Sequence, residues 1–204
     1  MLNSNICRLR ALALPLALSL FVTGCAVTNP VVGDGSVKYG DSKAVETVTN
    51  EFGSTDLQTI AESMSRSLTQ FAATAYKDRP LVTVAEVKNK TSEYIDTRSI
   101  TDSIKTQVIK GGTMRFVTDI NQMQNQTDEL ARQNQSGLYK KSTTAKTGQM
   151  QGAKYRVEGS ITSIVKRSGD IKDVYYKFTL QMFDIESGIT EWMDEREIRK
   201  TSSK

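Results

Sequence analysis

The order of apolar and polar residues divides the chain into a helical first part and a strand-rich last third. From Leu57 to Ala75, apolar residues recur every three or four positions, which is the spacing of one helix face. Ser54 and Thr55 precede this run as candidate N-caps, and Gln58 follows Thr55 by three residues, as a capping box requires. The pattern therefore predicts a long amphipathic helix with one face in a core.

Shorter elements are expected between this helix and the last third. In chain order they are a strand at 81–87, a polar turn at 88–92, a helix from about Asp96 or Thr97 to the glycines at 111–112, a strand at 114–117, an exposed helix between Asp119 and Gly137, and a polar, weakly helical stretch at 140–152.

The last third alternates apolar and polar residues with a period of two, which is typical of half-buried strands. The alternating segments are 155–162, 174–185 and 189–198, and glycine-bearing turns separate them at 168–170 and 186–188. The order of elements predicts an α/β (α+β) fold, in which one mixed sheet of about five strands has helices mainly on one face.

The first 25 residues have the pattern of a signal peptide. Arg8 and Arg10 precede an apolar run from Ala11 to Val22, too short for the roughly 20 residues of a membrane-spanning helix. The run ends in Val-Thr-Gly-Cys25, which resembles the lipobox of bacterial lipoproteins. That resemblance implies cleavage before Cys25, a diacylglycerol on its sulfur and N-acylation. The alternative is an ordinary signal peptide with a chance cysteine.

The sequence suggests three segments: a signal peptide at 1–24, lipidated Cys25 with a flexible tether at 25–52, and a globular domain at 53–200. The tether is small, polar and glycine-bearing, so its r.m.s. span is roughly 25–30 Å. Ala26 stands where lipoproteins retained in the inner membrane usually carry Asp. By that sorting rule, we expect a lipid-anchored protein on the periplasmic face of the outer membrane.

Composition argues against several functions. Loss of Arg8 and Arg10 leaves 25 basic and 23 acidic side chains, a net charge of +2 without the clustered basic face of a nucleic-acid-binding protein. The chain has no histidine, and its two cysteines, Cys7 and Cys25, are removed or acylated. Ser-His-Asp and Cys-His catalysis and the usual zinc sites are therefore excluded. We expect no enzyme activity, catalytic residue, metal or cofactor.

One short motif formally suggests catalysis. Ser163 and Lys166 match the S-x-x-K pattern of penicillin-recognising enzymes, which needs both side chains on one helix face. Here the pair ends a predicted strand, where residues three apart point to opposite faces. We therefore interpret it as a chance match.

Several segments of the domain occur in a specific order and spacing. They are FGSTDLQ at 52–58, VKNKT at 87–91, the helix from Asp96 to the glycines at 111–112, RFV at 115–117 and GAKYRVEGSI at 152–161. Together they resemble the LpoB family of lipoproteins that activate penicillin-binding proteins, and this resemblance spans about residues 52–198. It implies a fold like the N-terminal domain of TolB. It also implies a non-catalytic protein that docks on a regulatory domain of a bifunctional class A penicillin-binding protein.

The resemblance also suggests where docking occurs. The polar loop that belongs to the docking surface in relatives corresponds to Asn89, Lys90 and Thr91, and a tyrosine expected on a later strand is Glu158 here. On physical grounds, the docking surface should be a sheet face or edge without helices. The candidate partner-binding residues are Asn89, Lys90, Thr91, Tyr94, Arg156, Glu158 and Ser160. Simple solvation of these positions is the competing interpretation.

Two other functions remain as alternatives. One is a secretion or assembly lipoprotein like CsgG, although the strands at 175–185 and 189–198 carry many charges for bilayer-inserting hairpins. The other is a periplasmic enzyme that uses unfamiliar carboxylate or lysine chemistry.

Overall fold

A computed structural model of the chain describes residues 40–203. The predicted signal peptide, Cys25 and the tether up to Tyr39 lie outside the described residues. The elements are α1 (Ser54–Ala75), β1 (Leu81–Val84), β2 (Lys88–Lys90), α2 (Thr97–Gly111), β3 (Arg115–Phe116), α3 (Ile120–Gln135), β4 (Tyr155–Ser168), β5 (Ile171–Asp184) and β6 (Thr190–Ser203).

The described strands form one mixed sheet of six strands in the order β3-β1-β4-β5-β6, and β2 also pairs with β4. The short strands β1 and β2 run parallel to β4, while β4, β5 and β6 form an antiparallel meander of 14 residues per strand. The predicted mixed sheet in an α+β fold is thereby confirmed, with six strands where about five were expected.

The core lies between one face of this sheet and the first two helices. Alternate residues of β5 point into it, and apolar side chains of α1 and α2 meet them. Burial of each large side chain contributes about 1.5–3 kcal/mol relative to exposure. The fully or almost fully buried members include Ile60, Met64, Leu68, Ile100, Val108, Ile161, Tyr176, Phe178, Leu180 and Met182. We call the opposite side of β2, β4, β5 and β6 the open face.

Helix α2 has the ends that the sequence predicts. The Asp96 carboxylate accepts hydrogen bonds from the N–H groups of Arg98 and Ser99, both at 3.1 Å. Gly112 closes the helix at φ 70°, a left-handed conformation that glycine adopts without strain.

The N-terminal cap of α1 differs from the prediction. Gly53 is the N-cap, and its N–H donates to the Asp56 carboxylate at 2.9 Å. The predicted capping box of Thr55 and Gln58 is wrong, because a preceding segment uses both side chains. Thr55 Oγ1 accepts from the N–H of Glu46 at 2.8 Å. The amide of Gln58 donates to the carbonyl of Ser42 at 2.6 Å.

Residues 41–52, which the sequence analysis assigned to the tether, lie against the domain. Ala44 and Asn50 are buried, and the Asn50 amide donates to the carbonyl of Lys172 at 3.1 Å. The Phe52 ring packs edge-on against Tyr176, with centroids 5.8 Å apart. Ordered contacts therefore begin before residue 53, and we call residues 41–52 the docked segment.

Two strand assignments were also incomplete. Residues 88–90, predicted as part of a turn, form β2. Pairing with β4 stabilises this strand, although the polar Lys-Asn-Lys sequence has a low intrinsic preference for β structure. Strand β4 continues to Ser168, so Ser163 and Lys166 lie within it, opposite Tyr176 and Asp173. The two S-x-x-K side chains therefore point to opposite faces.

Helix α3 has no buried side chain among those described. Hydrogen bonds link the helix to Asp119 before it and to the segment after it, as when the Asn134 amide donates to the carbonyls of Leu130 and Ala145. None of the helices in residues 40–203 is long and apolar enough to cross a bilayer.

Candidate docking surface

The register of β2 on β4 decides which predicted residues share the open face. Lys88 pairs with Ser160, and Lys90 pairs with Thr162. Paired residues point to the same side of a sheet and neighbours alternate, so Lys88, Lys90 and Ser160 share the open face. Asn89 pairs with the buried Ile161 and points to the other side. The structure thus brings Lys90 and Ser160 together but turns Asn89 away.

Arg156 and Glu158 continue the open face along β4. The Arg156 guanidinium lies 3.6 Å from the Glu158 carboxylate, and both side chains are partly exposed. Gln181 on β5 donates its amide to Glu158 at 3.1 Å. Arg156, Glu158 and Ser160 therefore form one row next to the two lysines of β2.

Gly159 allows β4 and β5 to approach closely beneath this row. A Cβ atom on Gly159 would lie 2.1 Å from the carbonyl oxygen of Thr179, which is far inside van der Waals contact. Glycine is therefore required at this position to keep the register of Glu158 and Ser160.

The loop at 89–94 is held by its own side chains. The side-chain oxygen Oδ1 of Asn89 accepts from the N–H and the hydroxyl of Thr91, at 2.9 and 2.8 Å. The Asn89 amide donates to the main-chain carbonyl of Glu93 at 2.8 Å. Asn89 and Thr91 thus shape the loop, whereas Tyr94, 96% exposed, is free to contact a partner.

Glu93 connects this loop to the docked segment, and the sequence analysis did not identify it. Its carboxylate accepts from the hydroxyl of Tyr176 at 2.7 Å and from the N–H of Phe52 at 3.0 Å. Burial, together with the hydrogen bond to Glu93, raises the pKa of Tyr176. Glu93 is 41 residues from Phe52 and 83 residues from Tyr176, so no local pattern could have revealed these contacts.

A second set of contacts holds the C-terminal end of the docked segment from the side of β6. Lys200 on β6 donates to the Asp56 carboxylate at 2.8 Å and to the carbonyl of Glu51 at 2.5 Å. The side chains of Asp56 and Lys200 are only 7% and 18% exposed, so solvent screens this ion pair little. The docked segment is therefore held from both sides.

Among residues 40–203, no three acidic side chains lie close enough to hold a metal ion. The surface presents charges, hydroxyl groups and one aromatic ring, which suit recognition of another molecule.

The model of the family described as peptidoglycan-synthase activator LpoB matches residues 56–198. A search of curated proteins gives no significant match.

Three solved structures illustrate the structural similarity. The C-terminal domain of LpoB from Salmonella enterica has 16% identity and a TM-score of 0.38, over 71% of this chain and 96% of that chain. LpoB from Escherichia coli, solved by NMR, has 12% identity and a TM-score of 0.41, over 97% and 91%. Lipoprotein GNA1162 from Neisseria meningitidis has 12% identity and a TM-score of 0.37, over 60% and 84%.

With TM-scores of 0.37 to 0.41, these three structures do not show a family, whereas the sequence match to the family model does. That match covers most of the chain and includes α1, α2 and nearly all of the sheet. The chain therefore belongs to the LpoB family of peptidoglycan-synthase activators.

Proposed function

We propose that this protein is a lipoprotein of the outer membrane that binds and activates a bifunctional class A penicillin-binding protein. The observation that carries the proposal is the family match over residues 56–198, whose description names an activator of peptidoglycan synthases. The protein acts by contact, without catalysis of its own.

The N-terminal sequence supports the anchoring part of the proposal. Cys25 follows a short apolar run and small residues, and Ala26 is not the retention signal of the inner membrane. Acylation of Cys25 would place the domain at the periplasmic face of the outer membrane. Replacing Cys25 with Ser should move the protein from the membrane fraction to the soluble periplasmic fraction or leave its precursor uncleaved. Membrane retention of a processed C25S protein would contradict lipid anchoring.

The open face supports the docking part. It places Lys90, Arg156, Glu158 and Ser160 on the same side of two adjacent strands, with the exposed Tyr94 in the loop that follows β2. Docking there leaves the core between the sheet and the two helices intact. We therefore assign the partner-binding surface to the β2–β4 part of the open face with the 89–94 loop.

The experiment is a binding and polymerisation assay with the class A penicillin-binding proteins encoded in the same genome. The chain from Ala26 onward keeps every described residue and can be tested without lipid. We expect saturable binding to one synthase and faster glycan polymerisation and crosslinking by it. A Tyr94→Ala, Lys90→Ala double variant should weaken both effects, whereas changes on exposed α3, such as Gln126→Ala, should not. Absence of binding and stimulation with every synthase would refute the proposal.

A further inference from the structure

Charged side chains on the β5–β6 half of the open face are already paired with each other. Lys177 lies 2.5 Å from the Glu195 carboxylate. Arg199 makes two hydrogen bonds to Asp173, at 2.9 and 3.0 Å. Opposite charges at such distances largely cancel each other's field a few ångströms away. Apart from Glu197, which is hydrogen-bonded to the Tyr175 hydroxyl, the charges on this half are therefore paired, and it offers no unpaired cation to a partner.

The β2–β4 half has positive charges without such partners. Lys88 and Lys90 are exposed, and among residues 40–203 neither has a carboxylate oxygen within 4.0 Å. Arg156, with 47% of its side chain exposed, reaches Glu158 only at 3.6 Å. Glu86 and Glu93 are the acidic residues nearest to the lysines in the sequence, and neither forms an ion pair with Lys88 or Lys90. The available charge on this half is therefore positive.

We propose that the docking surface takes an acidic patch of a protein partner, with Lys88, Lys90 and Arg156 as the cations that face it. This inference rests on the proposed function and specifies the chemistry of its partner. The three cations lie on two adjacent strands, where Lys88 is paired with Ser160 and Arg156 is on the same face of β4. Such a patch raises the association rate with an anionic surface and disfavours cationic ones.

The neighbouring side chains favour a protein over a polymeric anion. Tyr94, in the loop that follows β2, is 96% exposed, and tyrosine is among the residues that dominate binding energy in protein interfaces. Ser160 and Thr162, which pair with the lysines, supply short hydroxyl groups for directional hydrogen bonds. A surface selected only to hold a polyanion would need neither the aromatic ring nor these hydroxyl groups.

The test uses the mature protein in detergent and its cognate class A penicillin-binding protein. A Lys88→Glu, Lys90→Glu variant is compared with a Lys77→Glu, Lys110→Glu control, which makes the same change in net charge at exposed positions after α1 and at the end of α2. At roughly 0.05 M salt, we expect about tenfold weaker binding for the β2 variant, mostly through a slower association rate. At roughly 0.5 M salt, the difference should shrink several-fold because of screening. The control should stay within about twofold of the unmodified protein.

The outcomes separate this inference from the function on which it rests. If the unmodified protein binds a synthase and the two variants weaken binding equally, the acidic partner is refuted and the proposed function stands. If no synthase binds, both fail. Binding to purified peptidoglycan sacculi that depends on Lys88 and Lys90, without synthase binding, would identify an anionic polymer as the ligand and would also overturn the inference.

Discussion

The hydroxyl of Tyr176 donates to the carboxylate of Glu93, at 2.7 Å to Oε2 and 2.8 Å to Oε1. Tyr176 is fully buried in β5, and Glu93 belongs to the loop beside the candidate docking residues. The same carboxylate accepts a hydrogen bond from the N–H of Phe52 at 3.0 Å. The Glu93 side chain therefore joins the sheet, the 89–94 loop and the docked segment.

Loss of this carboxylate should release the docked segment. In a Glu93→Ala variant, the N–H of Phe52 loses its acceptor and the buried Tyr176 hydroxyl keeps only the Asn50 carbonyl at 3.5 Å, which costs about 1–3 kcal/mol of unfolding free energy. Hydrogen–deuterium exchange should show faster exchange at residues 50–53, while α2 stays protected. Glu86→Ala is the matched control, since Glu86 is exposed. Equal protection of residues 50–53 in both variants would contradict this role of Glu93.

Removing the ammonium group of Lys200 should destabilise the start of α1. A Lys200→Met variant keeps most of the side chain's apolar length but leaves the buried Asp56 carboxylate with only the N–H of Gly53. We expect a loss of about 2 kcal/mol in denaturant unfolding. The exposed Lys77, changed to Met, serves as the control and should alter stability by less than about 0.5 kcal/mol. Similar midpoints for both variants would argue against the ion pair.

Gly159 provides a steric test of the β4–β5 packing. A Gly159→Ala variant would place Cβ 2.1 Å from the Thr179 carbonyl oxygen, so the strands must move apart. Overpacking of this kind costs about 1–3 kcal/mol or more. Gly152→Ala, where the added Cβ meets nothing within 4 Å, should be close to neutral. Thermal unfolding of the pair is the measurement, and equal melting temperatures would show that the sheet accommodates the methyl group.

Acid should weaken the β5–β6 turn through Asp184. The N–H groups of Ser187 and Glu186 donate to its carboxylate and hold its pKa below the usual range. A depressed pKa in the folded state stabilises the fold above the unfolded-state pKa of about 3.9 and loses that effect as the pH falls below it.

We therefore expect Asp184→Asn to reduce the loss of stability between roughly pH 5 and pH 2, measured by urea unfolding. Asp170→Asn, at the exposed β4–β5 turn, is the comparison. A steeper acid dependence in the Asp184→Asn variant than in the unmodified protein would have the wrong sign for this mechanism.

The helices and the meander were predictable because their signals are local. The apolar spacing of α1, the Asp96 cap with the Gly112 end of α2, and the alternation in β4 to β6 each lie within one element. The candidate row of Arg156, Glu158 and Ser160 followed from the same alternation. The structure places Lys90 on the same face as Ser160, although β2 itself was predicted as a turn.

The misses depend on contacts between distant residues. The side chains of Thr55 and Gln58 bind the docked segment and do not cap α1. Gln58 and its partner Ser42 are 16 residues apart. The direction of the Asn89 side chain, away from the open face, follows only from its pairing with Ile161. Glu93 was missed because its two partners are far away in the sequence.

The lipobox-like N-terminus, the absence of histidine, the periodicity of the long elements and the family resemblance can all be read from the amino-acid order. They are properties of composition or of residues close in the chain. The strand β2, the cap at Gly53 and the Glu93 junction arise only when the chain folds. Each of these depends on which backbone and side-chain groups meet after folding, because a polar group takes whichever partner the packed chain brings within hydrogen-bond distance.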